Sequence, residues 1–130
     1  MRAAVQTEHG VYTVDLEEEL VLELDESASL DVPQVETGLP LVVAAAASGS
    51  TVIAVVDRRP PLAVSHDAGR TWSEAGAGLP AGRAIAIGDE DPDLVLFAAR
   101  NRLHVSRDGG RFWQALTLEL PEIEAIALLP

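Results

Sequence analysis

Ser-His-Asp-Ala-Gly-Arg-Thr-Trp, at Ser65–Trp72, recurs as Ser-Arg-Asp-Gly-Gly-Arg-Phe-Trp at Ser106–Trp113. The offset of 41 residues carries Ser, Asp, Gly and Trp together. A second marker keeps the same period. Gly38-Leu39-Pro40, Gly78-Leu79-Pro80 and Glu119-Leu120-Pro121 lie 40 and 41 residues apart. Each precedes a small apolar stretch: Ala44–Ala46, Ala84-Ile85-Ala86 and Ala125-Ile126-Ala127. A third is Leu62-Ala63-Val64-Ser65 against Leu103-His104-Val105-Ser106, with Tyr12-Thr13-Val14-Asp15 as a degenerate copy. That alignment puts Tyr12 opposite Leu62 and Leu103 and predicts a core position for it. Self-similarity at such a period marks a stack of like supersecondary units, each burying its apolar faces against the next.

Each unit divides into short β-like runs separated by turn residues. In the second unit, spanning 41–76, strands are predicted over Leu41–Ala47, Thr51–Val56, Pro61–His66 and Thr71–Ala75. In the third, spanning 83–117, they are predicted over Arg83–Gly88, Asp93–Ala99, Arg102–Arg107 and Phe112–Leu116. The turns Ser48-Gly49-Ser50, Asp57–Pro60, Gly88–Pro92 and Asp108-Gly109-Gly110 hold residues that preset or tolerate turn dihedrals. Ala44–Ala47 has helix propensity, but Pro40 and Gly49 bracket a stretch too short to hold a helix. The first unit, 2–25, shows three runs, Arg2–Thr7, Val11–Leu16 and Leu20–Leu24, with no strand before them. A spare run, Glu122–Leu129, lies at the other end of the sequence. The expectation is an all-β single domain, 1–130, of three four-stranded units circularly shifted by one strand.

Composition narrows the chemistry. The chain has nine Arg, no Lys, 21 acidic residues and a net charge of −12. Phosphate backbones and anionic lipid repel such a chain, so neither nucleic acid nor a membrane surface is an expected partner. There is no Cys, hence no disulfide framework, thiolate nucleophile or zinc-thiolate site. No apolar h-region opens the sequence and no run reaches a membrane-spanning length of about 18 residues, which leads to a cytoplasmic expectation.

Ser-x-Asp-x-Gly-x-Thr/Phe-Trp resembles the Asp-box, or BNR repeat, of sialidases, sortilin-type receptors and photosystem II assembly factors. The match is good over 41–130 and poor over 1–40, where Asp15–Glu19 stands in place of a box without Gly or Trp. The resemblance implies a β-propeller whose boxes are structural hairpins away from the usual ligand face. Asp67 and Asp108 would accept turn N–H groups, with Ser65 and Ser106 adding hydroxyl bonds. Gly69 and Gly110 would give backbone freedom, and Trp72 and Trp113 apolar area packed under the hairpin or between blades. Propellers close with roughly 4–8 blades, so three imply a partner. The expectation is a homodimer closing as a six-bladed ring, with Glu122–Leu129 of each chain exchanged into the first blade of the other. A larger ring or a heteromeric partner is the competing form.

The resemblance also places the turns that carry Arg58, Arg59, Arg100 and Arg102 on one rim, with Arg83 nearby. Converging guanidinium groups suit carboxylate, sulfate or phosphate ligands. The competing account is that they solvate loops or pair with Asp57 and Asp93. The long connection after Leu24 adds Asp25, Glu26, Asp31 and Glu36, which could answer the arginines across the mouth. Asp89–Asp93 alternates carboxylates but lacks a calcium loop's Gly and distal Glu, so it reads as a solvated turn. His9, His66 and His104 have no paired spacing. No catalytic residue, cofactor or metal site is expected. The reading is a non-enzymatic binding or assembly scaffold for a protein or anionic ligand. The alternative is a sialidase-like or other glycan-binding or glycan-hydrolysing protein using an arginine-lined mouth, although Tyr12, the one Tyr, has no nucleophile's surroundings.

Overall fold

The computed structural model describes residues 1–130. It contains twelve strands and no helix: β1 (Arg2–Thr7), β2 (Gly10–Asp15), β3 (Leu20–Asp25), β4 (Val42–Ser48), β5 (Thr51–Val56), β6 (Leu62–Ser65), β7 (Ser73–Ala75), β8 (Ala84–Ile87), β9 (Val95–Ala98), β10 (Arg102–Ser106), β11 (Gln114–Glu119) and β12 (Ile123–Leu129). They form three four-stranded antiparallel sheets, ordered β12-β1-β2-β3, β4-β5-β6-β7 and β8-β9-β10-β11. These are the first, second and third blades. Local chemistry sets their turns. Ser48 pairs with Thr51 across a two-residue loop whose Gly49 has φ +60°, the sign such a hairpin needs.

The blades stack in the order second, third, first. The inner strand β8 lies between β4 and β12. Ile53, Val55, Leu62 and Val64 of the second blade pack on Ile85, Ile87, Val95 and Phe97 of the third. The opposite face of the third, with Ala84, Ala86, Leu96 and Leu103, packs on Val5, Val14, Ile123 and Ile126 of the first. No core cluster joins the first blade to the second. The molecule is therefore an arc with two sheet faces unstacked.

Two expectations are corrected by the register. Glu122–Leu129 is not exchanged: β12 pairs with β1 of its own chain, from Arg2↔Leu129 to Thr7↔Ile123. The connection from β3 to β4 makes this possible. Its sixteen residues, 26–41, can reach roughly 50 Å when extended, enough to carry the chain back along the arc. Second, Tyr12 does not stand where Leu62 and Leu103 stand. It pairs with Val5 and packs back on the third blade, whereas Leu62 and Leu103 each face forward onto the next blade. The first blade is one residue out of step, and a one-residue slip moves a side chain to the other face of a sheet.

Candidate functional site

The repeated hairpins sit at one end of the blades. Ser65 Oγ donates to Asp67 Oδ1 at 2.7 Å and accepts from Gly69 N at 2.8 Å. Asp67 then accepts from Thr71 N at 2.8 Å and Thr71 Oγ1 at 2.6 Å. Trp72 Nε1 closes the loop on Gly69 O at 3.0 Å. Ser106, Asp108, Gly110 and Trp113 repeat the pattern, with Phe112 N and Arg111 N donating to Asp108 Oδ1. Gly69 and Gly110 have φ of +88° and +95°, which only glycine adopts without strain. The Thr71 hydroxyl, then the Thr71 N–H and the Ser65 hydroxyl, hold the Asp67 carboxyl far below its ordinary range. For Asp108 the Phe112 N–H contributes most. Both carboxylates are spent on their turns. The tryptophans are half-buried rather than fully enclosed: Trp113 lies edge-on to Phe97 at 5.9 Å, and Trp72 covers Ala54 and Ala63.

In the first blade Asp15 replaces the box with a simpler turn, accepting from Glu17 N and Glu18 N. Glu19, at φ +55°, accepts from Thr117 N at 2.7 Å and ties the first blade to the third.

The arginines lie at the opposite end of the same strands, at the β5–β6 and β9–β10 turns and the start of β8. The structure divides them. Glu122 takes Arg83 at 3.0 Å and Arg100 at 3.5 Å, and Glu119 takes Arg102 at 2.6 Å. Arg58 and Arg59 are exposed and enter no ion pair. Neither Asp57 nor Asp93 pairs with an arginine, and neither does the long connection, so these expected partners are corrected to Glu119 and Glu122. Asp25 instead accepts from Ser27, whose hydroxyl is the main cause of its lowered pKa. Sequence reading missed Glu119 and Glu122 because they lie in the turn after β11 and at its edge, far in sequence from the arginines they meet. The available signal was that the third Leu-Pro, unlike the other two, is flanked by carboxylates, Glu119 and Glu122.

Two clefts run along this face. One, of about 220 Å³, has Arg58 and Arg59 at its mouth and Val43, Val56, Pro61 and Leu79 among its walls. The other, of about 500 Å³, is lined by Arg100, Asn101, Arg102 and His104. Pro80 and Ala81 border both. His104 stands edge-on to Phe97 at 5.7 Å, and burial, then the Arg102 charge, push its pKa down. His9 and His66 are exposed, with only Glu8 and Thr51 near their rings. In the Asp89–Asp93 turn, Asp91 accepts from Asp93 N, and no three carboxylate or imidazole groups converge as metal ligands.

No protein-family model matches the chain, and no curated protein does. Among solved structures it resembles YCF48 bound to D1 peptide, with a TM-score of 0.52 and 18% identity over 94% of this chain and 42% of that one. It also resembles the Niastella koreensis GH74 enzyme, with a TM-score of 0.52 and 18% identity over 92% of this chain and 18% of that one. Both neighbours are propellers. The fold is a segment of a β-propeller. The chain spans less than half the length of either neighbour, and the likeness at this identity is one of fold. No helix is present that is long and apolar enough to cross a membrane.

Proposed function

We propose that the chain is a non-enzymatic binding or assembly scaffold of the Asp-box propeller type, presenting the Arg58–Arg59 face to a protein or anionic ligand. One observation carries this. In a chain of net charge −12, three of the five rim arginines are neutralised by Glu119 and Glu122, and two exposed guanidinium groups that enter no ion pair line a cleft with Asp57, Val56, Pro61 and Leu79. Unpaired guanidinium forks offer planar, two-toothed recognition of an oxyanion. That one neighbour is YCF48 bound to D1 peptide agrees with a propeller face serving as a binding surface. Calorimetric titration with acetate, phosphate and sialic acid tests the reading. Binding that the Arg58→Ala/Arg59→Ala variant loses while folded supports it, and binding that survives that variant refutes it. The glycan-acting alternative rests on the same arginines, and turnover of a sialoside would establish it instead.

We propose further that a second copy completes the ring, by face stacking. At both filled interfaces an Ala pair on one inner strand meets larger side chains on the next. Ala44 and Ala46 pack with Ile85 and Ile87, and Ala84 and Ala86 pack with Ile126. The unstacked face of the first blade repeats the Ala pair, as Ala125 and Ala127. The unstacked face of the second offers Ala45 and Ala47, beside the 49% exposed Val43, where the third blade has Ile85 and Ile87. Two copies joined first blade to second blade would make six blades with two-fold symmetry. Light scattering should give about twice 13.7 kDa, reduced to the monomer by Ala127→Arg or Ala47→Arg. A monomer at all concentrations refutes the stacking.

A further inference from the structure

The outer strand of the first blade is unlike the outer strands of the other two. β7 is short and polar, Ser73-Glu74-Ala75, and β11 turns Leu116 and Leu118 onto the core shared with the first blade. β3 is six residues long, forms the outer edge of its sheet and pairs on one side only, with β2. Its Leu20, Val21, Leu22 and Leu24 are 37% to 44% exposed. The register gives its two faces different chemistry. Val21 and Leu24 stand opposite Val14 and Tyr12 and so turn toward the third blade, yet neither joins the core that Val14 and Tyr12 meet there. They line the opening between β3 and β11, which Glu19 bridges at one end through Thr117. Leu20, Glu23 and Asp25 stand opposite Asp15, Thr13 and Val11 on the free face. From Asp15 to Glu26 there are seven carboxylates and no basic residue, and Glu18, Glu23 and Glu26 enter no ion pair.

We propose that β3 takes an extended segment of a partner protein as a fifth strand, and that this segment alternates apolar residues with Lys or Arg. An open edge offers unpaired backbone N–H and C=O groups, so main-chain pairing supplies affinity and alternate side chains supply specificity. Side chains of an added strand point to the two faces in turn. Those that fall beside Val21 and Leu24 gain by being apolar, and those that fall beside Glu23 and Asp25 gain by being positive. A second copy of the chain is the wrong occupant. It would bring the same carboxylates to the edge, in a chain with no Lys and a net charge of −12. The register also slips at Leu22, and a bulge bends a strand out of the flat form that pairs with itself. This surface goes beyond the arginine cleft and the ring-closing face. It lies at the opposite edge of the sheet from β12, which carries Ala125 and Ala127.

The test uses the 130-residue chain and three acetylated hexapeptide amides. The probes are Lys-Val-Lys-Val-Lys-Val, the same peptide with its second Val replaced by Pro, and Glu-Val-Glu-Val-Glu-Val. Calorimetry at low salt should show the first binding about tenfold more tightly than the Pro peptide, which lacks a central backbone donor, and the acidic peptide not binding. Affinity should fall as salt rises. Leu24→Asn, which removes an apolar contact without changing charge, and Glu23→Gln should each weaken the Lys-Val peptide about fivefold. Arg58→Ala/Arg59→Ala should leave it unchanged, which separates this surface from the arginine cleft. Leu24 and Glu23 are exposed on an edge strand, and unchanged thermal unfolding verifies that the fold is kept. Equal binding of the Pro peptide would reduce the effect to bulk charge and overturn the proposal. So would no binding at about 1 mM peptide, or unchanged affinity in both β3 variants. Self-association that Leu24→Asn abolishes, without peptide binding, would make a second copy the occupant and overturn it as well.

Discussion

Phe97 and Phe112 are the two phenylalanines of the chain, and the structure assigns them opposite weights. Phe97 is 0% exposed and Phe112 is 80% exposed. Phe97 sits where the second and third blades meet, with Trp113 and His104 edge-on to its ring. The backbone of Gly82 runs so close that a Cβ there would fall 2.5 Å from the ring. Phe97→Ala therefore removes a ring that nothing nearby can replace. Its neighbours are strands locked in register, so the cavity cannot collapse. A buried Phe→Ala change costs about 3–5 kcal/mol, and lost edge-on pairs put this one near the upper end, about 4–5 kcal/mol. For a domain of this length that is a third or more of a typical total stability, and a fall in Tm of roughly 15 °C. Phe112→Ala should change stability by less than about 0.5 kcal/mol. The assay is urea unfolding followed by tryptophan fluorescence, at one protein concentration because self-association would couple to it. A loss below about 2 kcal/mol for Phe97→Ala, or equal losses for the two variants, would refute the stacking of these blades through Phe97.

Three further outcomes follow from single residues. Burial lowers the His104 pKa below the ordinary value of about 6.5, so the unfolded chain binds more protons in the window just beneath that value. Stability should fall as pH drops through that window, and His104→Phe should flatten the slope in pH-dependent thermal melts. Asp67 has a dependence of the same sign at lower pH. Its lowered pKa means that its contribution is complete above the ordinary carboxylate range and is lost as pH falls toward the folded value. Asp67→Asn should weaken the acid limb of the stability profile, and an unchanged limb would remove the hairpin's role. Leu41 is 61% exposed at φ +61°, a left-handed conformation that costs a branched side chain about 1 kcal/mol. Leu41→Gly should raise stability by up to that amount in the same unfolding assay.

The repeat made the blades legible because identical turns must serve identical hairpins, and the paired motifs at Ser65 and Ser106 pin two of the three units in register. It failed where identity lapsed. The first blade has no box, so Tyr12 could be aligned one residue off without a marker to object, and only its pairing with Val5 fixes the face it presents. The closing strand was legible as a spare strand, but its partner was not. Alternation of side chains says which face of β12 is apolar and says nothing about which copy of β1 it meets. The arginine rim was legible as a cluster and illegible as a site. Ion pairs between Arg83, Arg100 and Glu122 depend on how one blade's exit strand passes the next turn, a distance that no local pattern encodes.

Deviation between repeats carries information that the repeat itself does not. When two blades share a fold, a group satisfied internally in one and unsatisfied in the other exposes a requirement that must be met from elsewhere. Arg59 differs from Arg100 in this way: Glu122 takes Arg100, and Arg59 enters no ion pair. The unstacked face of the second blade differs from the third in the same way, with Ala45 half-exposed and Ala47 exposed where Ile85 and Ile87 are buried. An exposed ion pair is worth under about 1 kcal/mol, so water can satisfy Arg59 and the fold stays intact without a pair there. An apolar face covering a whole inner strand has no such inexpensive substitute. The two deviations therefore predict different dependences. Ligand occupancy at Arg59 should respond to salt and to loss of the Arg58 and Arg59 charges. Association through the second blade should survive salt and fail only when a bulky charge is set into the face. Loss of both properties at one salt concentration would mean that the arginine cleft and the stacking face are a single interface.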